Sequence, residues 1–146
     1  MADAGTERDL EILLVEDNPG DTRLIVETIS QGKIRHNITA AKDGDEAVRI
    51  ISGGGKERHY MPDLILLDLK LPKKSGLEVL EMIRKNPATE LTPVVVLSSS
   101  EFEGDIKKAY ELRANCYVTK PISLDSFVVT INSINNFWLT TARRAK

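Results

Sequence analysis

At 146 residues, with 41% hydrophobic and 29% charged residues and a formal net charge of −2, the chain has the size of one domain with a sizeable core. That charge balance gives no electrostatic case for binding nucleic acid or an anionic membrane, and the single cysteine, Cys116, excludes an internal disulfide and suits a reducing, cytoplasmic setting. The N-terminus MADAGTERDL lacks the pattern of a signal peptide, and the longest uncharged stretch, 126–142, is too rich in Asn, Ser and Thr to span a bilayer, so a soluble protein is expected.

Residues 1–9 are expected to form a flexible polar arm. Ile12-Leu13-Leu14-Val15 is a continuous apolar run ending in the acids Glu16-Asp17. Pro19-Gly20 is read as a break, after which Asp21 to Ser30 carry Leu24, Ile25, Thr28 and Ile29 at helical spacing. His36 to Ala41 is a weaker strand with β-branched Ile38 and Thr39. Asp43-Gly-Asp-Glu46 has capping-box spacing and predicts a helix through Ile51, followed by a polar loop over 52–61.

Leu64-Ile65-Leu66-Leu67 is the second four-residue run, and it too delivers an acid, Asp68. An unbroken apolar run suits a strand buried on both faces, while an ionised Asp is rarely buried without compensation. Ser75-Gly-Leu-Glu78 is a second capping box, opening a helix that stops before Asn86-Pro87. Val94-Val95-Val96-Leu97 is the third run, leading into Ser98. Ser100-Glu-Phe-Glu103 is read as the cap of the next helix, which carries Ile106, Ala109 and Tyr110. Cys116 to Thr119 predicts a strand ending at Lys120-Pro121, and a last helix is expected from Leu124 to Leu139, with Phe127, Ile131, Ile134 and Trp138 on one stripe.

Strand and helix thus alternate five times, which predicts an α/β fold with a parallel sheet and helices on both faces. Sites in such sheets lie at the carboxyl ends of the strands, beside the switch in strand order. Glu16, Asp17, Asp68, Ser98 and Lys120 collect at that edge: three acids, a hydroxyl and an ammonium. Taken singly, each merely ends a strand; together they suit a hard divalent cation such as Mg²⁺ and phosphoryl transfer to a carboxylate nucleophile. Lys120 would neutralise charge on the phosphoryl oxygens, and Ser98 could donate a hydrogen bond.

The set Glu16-Asp17-Asn18, Asp68-x-x-x-Pro72 with Gly76, Ser98 and Lys120-Pro121 resembles the receiver domain of two-component response regulators, the CheY-like, flavodoxin-like fold, over roughly residues 10–137. The resemblance implies a five-stranded sheet ordered 2-1-3-4-5 and a receiver domain over 10–139, followed by a basic tail, 140–146. It implies that Asp68 accepts phosphate from a phosphohistidine of a sensor histidine kinase. Asp17, Asp68 and the Lys70 backbone carbonyl would then ligate Mg²⁺, with Glu16 acting through water. Ser98 and Tyr117 match the switch hydroxyl and switch aromatic, and Lys120–Pro121 matches a bond that is usually cis in the family. The signal would leave as a phosphorylation-dependent change in protein contacts with an unknown downstream protein.

VEDNPGD at 15–21, LPKKSGLEVL at 71–80 and FWL at 137–139 resemble more narrowly the stand-alone receivers that pair with bacterial phytochromes, in which a longer C-terminal segment helps form a homodimer. Phe137, Trp138 and Leu139 are therefore candidate interface residues, although Trp138 is also in register to complete the core stripe. No helix-turn-helix segment follows residue 139, so direct DNA binding is not expected. Lys70, where many relatives carry a smaller polar residue, is expected to tune phosphate lifetime.

Two rival readings belong to other classes. A dehalogenase-type phosphatase would need a second acid two residues after Asp68, where Lys70 stands. A receiver that binds partners without phosphorylation keeps the fold but needs none of the site chemistry. Gly53-Gly54-Gly55-Lys56 lacks the first glycine of a phosphate-binding loop, and His36 and His59 have no predicted ligand partner.

Overall fold

The computed structural model describes residues 9–32, 34–53 and 61–141. The arm over 1–8, Gly54 to Lys56, His59, the Leu139 side chain and the tail over 142–146 lie outside the described residues.

The elements follow in the order β1 Leu10–Val15, α1 Pro19–Ser30, β2 His36–Ala41, α2 Gly44–Ile51, β3 Leu64–Leu67, α3 Gly76–Lys85, β4 Val94–Ser98, α4 Glu103–Glu111, β5 Cys116–Thr119 and α5 Leu124–Ile134, which continues as a π-helical segment, Asn135–Thr141. The strands form one sheet in the order 2-1-3-4-5, and every pairing is parallel.

The three apolar runs make the centre of the sheet. Their twelve side chains are no more than 2% exposed. Successive residues alternate between two cores, as the two-residue period of a strand requires. Leu13, Val15, Ile65, Leu67, Val94 and Val96 pack with Ala47, Val79, Leu80, Ile83 and Ala109 of α2, α3 and α4. Ile12, Leu14, Leu64, Leu66, Val95 and Leu97 pack with Ile25, Ile29, Phe127, Ile131 and Ile134 of α1 and α5. Each fully buried Leu, Ile or Val stabilises the fold by about 1.5–3 kcal/mol relative to exposure. No helix among the described residues is long and apolar enough to cross a membrane.

Helix starts follow their capping chemistry. Ser75 and Glu78 form a reciprocal capping box, the Ser75 hydroxyl accepting from Glu78 N–H at 3.3 Å and the Glu78 carboxylate accepting from Ser75 N–H at 2.9 Å. Asp43 accepts from Glu46 N–H at 2.8 Å, while the Glu46 carboxylate reaches one residue further back, to Lys42 N–H.

Three expectations are corrected. Pro19-Gly20 does not break the chain but opens α1: Asn18 caps it by accepting from Asp21 N–H, and proline suits the first turn because its missing N–H would have no helical partner. Ser100 does not cap α4, whose N-cap is Phe102 without a side-chain bond; the Ser100 hydroxyl instead donates to Asp105 at 2.6 Å. The last helix is α-helical only to Ile134. Across the π-helical segment Trp138 still packs, half-buried, on the core formed with Phe127, Ile131 and Ile134, whereas Phe137 is exposed.

Candidate functional site

The backbone ladder runs one residue past three of the strands, and this positions the site. Glu16 N–H donates to Ala41 O at 3.0 Å, Asp68 N–H to Val15 O at 3.0 Å and Lys120 N–H to Ser98 O at 2.8 Å. Each residue after a strand is thereby held in sheet register, its side chain at the carboxyl edge. Gly76 sits directly beneath, its N–H donating to Leu69 O at 2.8 Å; a Cβ there would collide with the backbone of Asp68 and Leu69.

Lys120 is the hub. Its Nζ lies 2.7 Å from Glu16 Oε1, 3.0 Å from Asp21 Oδ2 and 3.1 Å from Asp68 Oδ2. Burial alone would lower the ammonium's pKa, but hydrogen bonds to Glu16 and Asp21 and the charges of Asp68 and Glu16 outweigh it and leave the group firmly protonated. Glu16 shows the opposite imbalance. Burial, reinforced by the charge of Asp68, pushes its carboxyl up to about 7 despite the hydrogen bond from Lys120. One lysine does not balance this many acids.

Glu16, Asp17 and Asp68 each present a carboxylate oxygen within 4.8 Å of the others, with Glu16 and Asp68 buried and Asp17 exposed. An all-oxygen set short of positive charge fits a hard divalent cation. The Lys70 N–H donates to Asp68 Oδ1 at 3.2 Å, and the Lys70 side chain is exposed.

Ser98 is fully buried, and its hydroxyl oxygen accepts from Ser100 N–H at 3.3 Å. Tyr117, half-buried on β5, donates its hydroxyl hydrogen to Ser100 O at 2.7 Å; burial raises its pKa against the hydrogen bonds to Ser100 and Ser98. The five residues expected at one edge are thus brought together there, and Tyr117 joins the Ser98 side through Ser100. One sequence expectation fails: no cis peptide bond occurs among the described residues, so Lys120–Pro121 is trans. Trans is the favoured form by about 0.5–1 kcal/mol, and here three ion pairs aim the lysine.

Two neighbours of the site escaped the sequence reading. Asp21 reads as an ordinary first-turn acid of α1; only its position, one helical turn beyond the acids of β1, hints that it faces the same edge. Ser100 reads as a helix cap, and no sequence signal separates that role from its actual one as the acceptor for Tyr117.

Residues 12–132 match the response regulator receiver domain family. The chain belongs to that family. Response regulator Rcp1 of Synechocystis sp. is 44% identical over 131 residues, covering 89% of this chain and 89% of that protein. Among solved structures, the phosphorylated cyanobacterial phytochrome response regulator RcpA aligns with a TM-score of 0.89 at 42% identity, over 95% of this chain and all of that one. The Mn²⁺-bound form of Rcp1 aligns at 0.90 and 41% identity, over 94% and 99% of the two chains. This receiver is therefore a response regulator of two-component signalling.

Proposed function

We propose that Asp68 is the phosphoacceptor of this receiver, with Lys120 and Ser98 as the groups that contact the transferred phosphoryl. What supports the reading is the contact of Lys120 Nζ with Asp68 Oδ2 at 3.1 Å inside a buried acid cluster. An Asp68 oxygen attacks phosphorus as the P–N bond of a phosphohistidine breaks; the acyl phosphate forms, and the departing imidazole keeps the bonding electron pair. Lys120 neutralises charge on the phosphoryl oxygens, and Ser98 donates a hydrogen bond once its hydroxyl turns from Ser100 N–H.

Mg²⁺ would be held by Asp17, Asp68 and the Lys70 backbone carbonyl, with Glu16 acting through water, and would supply charge neutralisation to the same oxygens. Tyr117 then responds to the movement of Ser98 and biases the face built from α4, β5 and α5. The donor is a phytochrome-type sensor histidine kinase, a reading supported by the likeness to Rcp1 and RcpA. The exposed Phe137, packed edge-on against Trp138 at 5.2 Å between ring centroids, belongs to a homodimer contact in this reading.

Intact mass after incubation with acetyl phosphate and Mg²⁺, run beside Asp68→Asn, tests the acceptor. One phosphate on the wild type and none on the variant is expected. No adduct in either, together with no beryllofluoride binding, would favour a receiver that binds its partners without phosphorylation.

A further inference from the structure

The three contacts of Lys120 are not equivalent. A lysine ammonium has three N–H donors, and here all three are engaged, by Glu16, Asp21 and Asp68. Glu16 and Asp68 also belong to the group of acids whose oxygens converge within 4.8 Å, and Asp21 does not. A cation bound by that group competes with Lys120 for Glu16 and Asp68 and leaves the Asp21 pair untouched.

Asp21 is itself well fixed. It stands in the first turn of α1, where the Asn18 side chain accepts from its N–H at 3.0 Å and the helix N-terminus favours a carboxylate. Its side chain is 28% exposed against 9% for Lys120. Both residues of the pair line a groove of about 600 Å³, together with Arg23, Leu24, Pro121 and Phe127 among others, whereas Glu16 and Asp68 do not. Asp21 therefore holds the ammonium from the solvent side, while its two other N–H groups point inward.

We propose that Asp21 is a positioning residue for Lys120: it fixes one N–H of the ammonium, so that the remaining two stay directed at Glu16 and at the reacting carboxylate of Asp68 during phosphoryl transfer. This rests on the reading of Asp68 as acceptor. A flexible four-carbon stem gives a lysine no preferred aim of its own, so loss of the anchor costs orientation rather than charge.

The test compares wild type, Asp21→Ala and Asp21→Asn, the last keeping an acceptor oxygen and the shape of the turn. Two readouts are needed: the rate of phosphorylation by acetyl phosphate at saturating Mg²⁺, and the Lys120 side-chain ammonium signal in a nitrogen-15 NMR spectrum. Asp21→Ala is expected to slow phosphorylation roughly tenfold, the lower end for outer partners that orient a charged ligand, and to broaden the ammonium signal. Asp21→Asn should lose less on both counts. A wild-type rate in Asp21→Ala, or a slower rate with the ammonium signal unchanged, overturns the proposal. Absence of phosphate on the wild type would instead remove the acceptor reading, and the ammonium spectrum would still decide whether Asp21 anchors Lys120.

Discussion

The hydroxyl of Tyr117 donates to the backbone carbonyl of Ser100 at 2.7 Å, tying β5 to the segment that leads from Ser98 into α4. A neutral hydrogen bond of this kind contributes about 1 kcal/mol, or roughly fivefold in a local opening equilibrium. Tyr117→Phe keeps the ring and removes the tether. Amide exchange at Ser100 and Phe102 should then speed by about that factor without phosphorylation. Unchanged protection there would show that the tether carries no stability.

Gly76 has no room for a side chain, because the atoms a Cβ would meet are backbone of Asp68 and Leu69 rather than a yielding side chain. Gly76→Ala is expected to cost about 1–3 kcal/mol, as overpacking does. It should also impair phosphorylation, since the segment displaced is the one that carries Asp68. Thermal melting and intact mass read the two effects separately; a variant normal in both would mean that α3 can shift freely.

Arg84 is buried at 8% exposure, at the amino ends of β4 and β5, away from the acid pocket. Its guanidinium donates to the carbonyls of Arg113, Glu90 and Thr92 and to Asn115 Oδ1, with Arg113 O at 2.8 Å and Thr92 O at 2.8 Å. Burial, and then the charge of Arg113, lowers its pKa from the usual arginine value. Arg84→Leu strands those acceptors and should destabilise the fold by at least about 3 kcal/mol. Arg84→Lys should recover only part, because an ammonium cannot reproduce the planar fork. Urea unfolding of both variants checks the order; equal stability of wild type and Arg84→Leu would mean that water satisfies the carbonyls as well.

Mg²⁺ is expected to raise the melting temperature by relieving repulsion among Glu16, Asp17 and Asp68. At a free concentration 100 times Kd the gain is about 2.7 kcal/mol. Asp17→Asn should abolish most of it. Identical melting of the wild type in Mg²⁺ and in EDTA would sink the metal site.

What the sequence disclosed follows from how local each signal is. The runs 12–15, 64–67 and 94–97 are each contiguous and uniformly apolar, so the central strands and the residues after them could be read directly. Ser75 and Glu78 satisfy each other within four residues, so that cap was legible too. Ser100 carries the same spacing to Glu103, but it pairs with Asp105 and Tyr117, the latter seventeen residues away, and no local pattern records that choice. Arg84 looks like a cation placed to suit a helix C-terminus; its real partners lie in two loops that only the fold brings beneath it.

β5 pairs with β4 alone and is half-buried along its length, whereas β3 is enclosed by strands on both sides and buried throughout. Lys120, directly after β5, nevertheless reaches across to touch the acid that follows β3. An edge strand of the sheet is thus linked by a single side chain to the acid at the end of the central one. A change of charge at Asp68 is therefore expected to act on the border of the sheet through Lys120.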